Sequence, residues 1–151
     1  MIDKLIRLVD AICEVYDMED LKPSKEYTYC NIAVHFVCKR LGYEGFKNLV
    51  ANEIIDKMIE SDEWKQIREE NVQKKVNYDG ELIIAGKKDN PHGHVCVIRP
   101  GFMIYSNKWK KYVPKCMNVG KKNFIGKIGN YNTGVNWAFS QVPDYYMWKN
   151  Y

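Results

Sequence analysis

Apolar residues in the first half of this chain recur at helical spacing, whereas in the second half they form short strand-like runs between turns. Helical stretches followed by strand stretches predict an α+β fold, in which helices pack on an antiparallel sheet. Ile2, Leu5, Val9, Ile12, Cys13 and Tyr16 predict an amphipathic helix over 2–17, with Cys13 facing the core. Ala33, Val34, Val37 and Leu41 follow Cys30 by three, four, seven and eleven residues, which places them on one helix face. Thr28 is the expected N-cap of that helix and Gly42 its C′ residue. A third helix is predicted over 47–60, with Leu49, Val50, Ile54 and Met58 inward. Ser61 or Asp62 is expected to cap further helix carrying Trp64, Ile67, Val72 and Val76.

Asp79-Gly80 reads as the turn that starts the sheet. Strands are expected over 81–86 and 94–98, joined by the turn-rich stretch 87–93, and then over 102–105, 112–119 and 145–148. Gly120 to Trp137 is dense in Gly and Asn and reads as a binding loop anchored by Trp137 and Phe139. At 151 residues and 46% hydrophobic, the chain is expected to form one domain: an N-terminal helix and linker (1–26), then the core (27–151).

Two side chains in this pattern carry chemistry. Cys30 stands in the first turn of its helix, where the positive end of the macrodipole favours thiolate and free N–H groups can hold an oxyanion. His94 alternates with Cys96 and Ile98, so it should point at the same packed face, near its open end. An imidazole there can reach a thiol on a helix packed across the sheet. The plainer reading of Cys30 is a small buried hydrophobe. Tyr27 and Tyr29 flank it, positioned either to wall a substrate groove or to cover the core edge. Asn31 and His92, each close in sequence to one of the pair, join the candidate substrate contacts, as do Lys121 and Asn123 in the Gly/Asn-rich loop.

Five cysteines without a Cys-x-x-Cys pair argue against a disulfide scaffold and a zinc ribbon. A net charge of +4 is compatible with an anionic polymer without specifying one. No apolar run is long enough to span a bilayer, so stable membrane insertion is not expected. Charged residues interrupt the N-terminus, so synthesis in the cytoplasm without a signal peptide is expected.

A cysteine at a helix N-terminus followed about sixty residues later by Gly93-His94-Val95 opening a strand resembles the papain-like cell-wall hydrolases, the NlpC-type peptidases and CHAP amidases. The resemblance spans roughly residues 27–149. It implies a papain-like α+β fold with the nucleophile at a helix N-terminus on a central antiparallel sheet. It further implies Cys30 as nucleophile, His94 as base and, at the matching position on the next strand, Asn118 as the residue that orients the imidazole. The implied substrate is an amide bond of bacterial peptidoglycan, cut by a monomer without cofactor and without nucleic acid. A phage endolysin, or an injected antibacterial effector with an immunity or delivery protein, would reach the wall after release. The chain departs from the frequent Asp-Cys-Ser-Gly nucleophile motif, having Tyr29-Cys30-Asn31-Ile32 instead.

Two other classes compete. His92, His94 and Cys96 alternate and on a regular strand would offer a zinc hydrolase three ligands on one side. Aromatic content of 13% with a slight basic excess would also suit a non-catalytic module binding cell wall or nucleic acid, although no basic stripe is concentrated anywhere.

Overall fold

The computed structural model describes residues 2–24, 28–125 and 133–151. The chain is a small α+β protein with helices and a mostly antiparallel sheet; among the described residues, three α-helices precede the first strand and two lie between strands. Helix α1 (Ile2–Tyr16) buries Leu8, Ala11, Ile12 and Val15. Cys13 is exposed, contrary to expectation, and so are Ile2 and Val9. The sequence of α1 offers two overlapping apolar stripes, and the one centred on Leu8 and Ile12 is the one that packs.

Helix α2 (Cys30–Arg40) buries Ala33, Val34 and Val37 along the face that its spacing defines. Its N-cap position is Tyr29, with no side-chain cap, and Thr28 is exposed rather than capping. Its end follows the sequence closely. Gly42 adopts φ of 105° and donates to the Lys39 carbonyl at 3.1 Å, while the Tyr43 N–H donates to Cys38 O at 2.9 Å. This double closure of the last turn needs a left-handed residue, which glycine supplies without strain.

Helix α3 (Ala51–Glu60) starts later than predicted, after Asn48 turns the chain at φ of 63°. The Glu53 carboxylate accepts the Val50 N–H at 3.0 Å, which leaves Val50 exposed, not inward. The next segment is a strand, not a helical turn: β1 (Trp64–Ile67). Four residues are too few for periodicity to decide, and strand pairing decides instead. Trp64 becomes part of an aromatic cluster with Tyr43 and Phe46, at centroid distances of 5.3 and 5.2 Å.

Helix α4 (Glu69–Asp79) buries Val72 and Val76 and ends at Gly80, φ 67°. The remaining elements are β2 (Ile83–Lys87), β3 (His94–Ile98), β4 (Ile104–Ser106), β5 (Lys111–Val113), β6 (Cys116–Met117), a short α5 (Val135–Ala138) and β7 (Asp144–Trp148). The sheet order is β1-β7-β2-β3-β6 with every pairing antiparallel, and β4 and β5 form a separate ribbon. The strand expected over 112–119 is therefore split. Pro114 lacks an N–H for a continuous ladder, so the chain pairs with β4 before it and with β3 after it.

Helix α4 ties these pieces together. Gln73 donates to Arg99 O at 2.9 Å and accepts from the Lys115 N–H at 3.0 Å, bracketing the end of β3 and the start of β6. Asn77 makes the equivalent pair with Gly101, at 2.9 and 3.0 Å. These part-buried amide bonds help set where β6, and hence the residue following it, lies beside β3.

Candidate active site

Cys30 is the first residue of α2, and α2 packs on β3. Three backbone N–H groups lie against its thiol: its own, that of Asn31, and that of Val95, the residue after His94. Each favours thiolate, as expected at a helix N-terminus. Burial opposes them and is the larger effect, so the thiol pKa rises above its ordinary value. The expected resting thiolate is thus replaced by a neutral thiol in a nest of donors.

His94 opens β3. The pairing of Ile98 with Cys116 places Cys116 and Asn118 on the same side of the sheet as Ile98, Cys96 and His94. Across that diagonal, His94 Nε2 and Asn118 Oδ1 are 2.6 Å apart. The Asn118 amide is oriented by its other end, since Nδ2 donates to Lys122 O at 2.9 Å. Its backbone is held by a reciprocal pair with Phe124, at 2.8 and 3.0 Å. Because Oδ1 only accepts, Nε2 carries the imidazole proton, and Nδ1 is the nitrogen left to take one. Phe139 packs its ring against His94 at a centroid distance of 5.0 Å and an interplanar angle of 61°. Burial lowers the His94 pKa and outweighs the opposing effect of Asn118, so the ring is neutral at and somewhat below its usual titration range.

The candidate substrate contacts are distributed unevenly. Asn31 Nδ2 donates to Leu49 O at 3.0 Å, tying the start of α2 to the approach to α3. Asn123 bridges the Gly120 N–H, at 3.0 Å, and Leu21 O, at 2.9 Å, and so braces the turn after Asn118. Tyr29 is half-buried against the core, and Lys121 is exposed. Tyr27 lies outside the described residues, as does the Gly/Asn-rich stretch 126–132. His92 is exposed and lines a pocket of about 110 Å³ with Gly93, His94, Phe139 and Gln141. Phe139 anchors as expected, whereas Trp137 is exposed. The Lys122 carbonyl, which aims Asn118, had no side-chain signature in the sequence.

Gly93 admits the chain to β3 where no Cβ would fit. One built there would stand 2.7 Å from Lys87 O and closer still to the Asn52 side chain. Asn52 itself clamps the turn, donating to Asp89 O at 2.8 Å. His92 consequently sits outside β3, and the alternation that would align it with His94 and Cys96 does not hold. Among the described residues, no three His, Cys, Asp or Glu are grouped to hold a metal.

The His94–Asn118 bond has a measurable pH consequence. A base must be neutral to accept a proton, and burial already lowers the His94 pKa, so for any reaction that uses His94 as its base the acid limb of kcat/KM is expected below pH 6.5. Asn118→Ala removes the interaction that favours imidazolium. The limb should move further to acid while kcat falls about tenfold, with kinetics across pH as the check. A limb that moves to higher pH would contradict the assignment.

Among the described residues, no helix is long and apolar enough to cross a membrane. No protein-family model matches the chain, and no curated protein matches it.

Proposed function

We propose that this protein is a papain-like cysteine hydrolase that cuts amide bonds through Cys30, His94 and Asn118. The observation that carries the reading is the 2.6 Å His94–Asn118 pair on the strand whose next amide, that of Val95, meets the Cys30 thiol. A largely buried imidazole held in one tautomer, one residue before the amide that meets a buried thiol, is costly to arrange for packing alone.

The chemistry follows from these positions. Cys30 Sγ adds to the substrate carbonyl carbon as its proton passes to His94 Nδ1. The oxyanion is held by N–H groups at the start of α2. The C–N bond then breaks, His94 returns the proton to the leaving amine, and a thioester remains on Cys30. Water, deprotonated by His94, adds to the thioester and releases the acid and the free thiol. Asn118 keeps the imidazole aimed throughout and, as an acceptor, favours the imidazolium that forms.

The substrate proposed is an amide of the bacterial cell wall, within or at the base of the peptidoglycan stem peptide, reached after release or delivery of the protein. Support comes from the resemblance in the Cys30 and Gly93-His94-Val95 stretches and from the net charge of +4, which suits an anionic wall. Purified peptidoglycan digested with wild type and with Cys30→Ala, and read by mass spectrometry, tests it. New amines or free stem peptides from wild type alone are expected. Cleavage that survives Cys30→Ala would refute the thiol mechanism, and no cleavage across several wall chemistries would refute the substrate.

A further inference from the structure

Beyond the reacting groups, a groove of about 820 Å³ runs between the β4–β5 ribbon and α5. Its lining includes Tyr105, Asn107, Lys108, Asn136, Trp137 and Phe139. Ala138, Phe139 and Ser140 line both this groove and the pocket beside His94, so the two adjoin. Phe139 is the shared wall, packing on the His94 ring.

The groove has an unusual surface. Trp137 is 55% exposed and Tyr105 48% exposed, although each is large enough to repay burial. Tyr105 is also fixed in place, pairing across the ribbon with Tyr112 in an edge-to-face contact at 5.3 Å. Lys108 Nζ donates to Asn136 O at 3.2 Å and to Phe139 O at 2.9 Å, pinning α5 to the ribbon. Two of its N–H donors are therefore already used, and none of the lining residues is a carboxylate. What remains for a ligand is aromatic faces with exposed amide and hydroxyl groups from Asn107 and Ser140. Flat apolar faces beside neutral hydrogen-bonding groups, with a single ammonium already bonded to two carbonyls, match the alternating C–H faces and hydroxyls of pyranose rings. A basic peptide would find no counter-ion there, and an acidic one only Lys108.

We propose that this groove is a saccharide subsite that holds an amino-sugar chain through Trp137 and Tyr105 while the attached amide lies at Cys30 and His94. The link to the cut bond rests on the function proposed above; the binding itself does not. The probe is chitotetraose, titrated calorimetrically into the full-length protein as wild type, Trp137→Ala, Tyr105→Ala and Cys30→Ala.

Saturable binding by wild type is expected, weakened about tenfold or more by either aromatic substitution and unchanged in Cys30→Ala. Trp137→Phe should recover most of it, and thermal melting should show that the exposed Trp137 can be replaced without unfolding. In hydrolysis, Trp137→Ala should raise KM for a sugar-linked substrate and leave kcat and a sugar-free stem peptide unaffected. Absence of chitotetraose binding, or binding indifferent to Trp137→Ala, overturns the proposal. Loss of stem-peptide affinity in Trp137→Ala assigns the groove to peptide and overturns it as well. If chitotetraose binds as expected but wild type cuts no wall, the hydrolase reading fails and the saccharide site stands.

Discussion

Cys30→Ala and His94→Ala are each expected to lower kcat on peptidoglycan by about 10⁴-fold or more, and the double variant should be scarcely worse than either. In the mechanism proposed above, the two side chains perform one step. A buried neutral thiol without its base has no way to lose its proton, because burial already sets its pKa above the ordinary range. An imidazole without the thiol has nothing to activate. Single-turnover rates with defined wall fragments provide the check, and additive losses in the double variant would show that Cys30 and His94 act separately. Both variants should melt close to wild type.

The largest effect on stability is expected at Phe46→Ala. Phe46 is fully buried, with ring neighbours Tyr43 at 4.8 Å and Trp64 at 5.2 Å. This cluster joins the turn after α2 to edge strand β1 and, through the Tyr43–Trp148 contact at 5.5 Å, to β7. Truncation removes a large apolar side chain and leaves a cavity walled by the Tyr43 and Trp64 rings, which cannot readily collapse into it. A loss of about 4 kcal/mol is expected, and at this chain length a fall in Tm of roughly 12 °C, measured by denaturant and thermal unfolding. A loss under about 1 kcal/mol would mean that the cluster relaxes, contrary to its packing.

The parts legible in the sequence are those in which local pattern and tertiary demand agree. Cys30 to Gly42 reads as a helix with an end because its spacing, its glycine and its burial coincide. His94–Ile98 is legible for the same reason, as an apolar run bounded by Pro91-His92-Gly93 and Arg99-Pro100-Gly101. Trp64–Ile67 was not, since its strand character comes from β7, more than seventy residues away. Ile104–Ser106 has a strand pattern but no signal of which sheet it joins; the split at Pro114 decides that. At the site, Cys30 and His94 announce themselves through element boundaries. Asn118 is visible only through a family resemblance, because its contact with His94 depends on a cross-strand diagonal that register alone determines. The resting state of Cys30 was misread because helix position is local, while desolvation is a property of everything packed around it.

The placement of β7 between β1 and β2 bears on how the molecule comes into being. The hairpin of β2 and β3 joins neighbours in sequence and can form early. The sheet remains in two parts until the strand Asp144–Trp148 is available to join β1 to β2. Loop closure over so many residues is slow. On a ribosome, the edge strand and its aromatic cluster would therefore wait, partly exposed, until synthesis had passed Trp148. The consequence is a nascent chain in which the Cys30, His94 and Asn118 elements can assemble before β1 is tied in, and whose aromatic edge is open to chaperones until Trp148 has emerged.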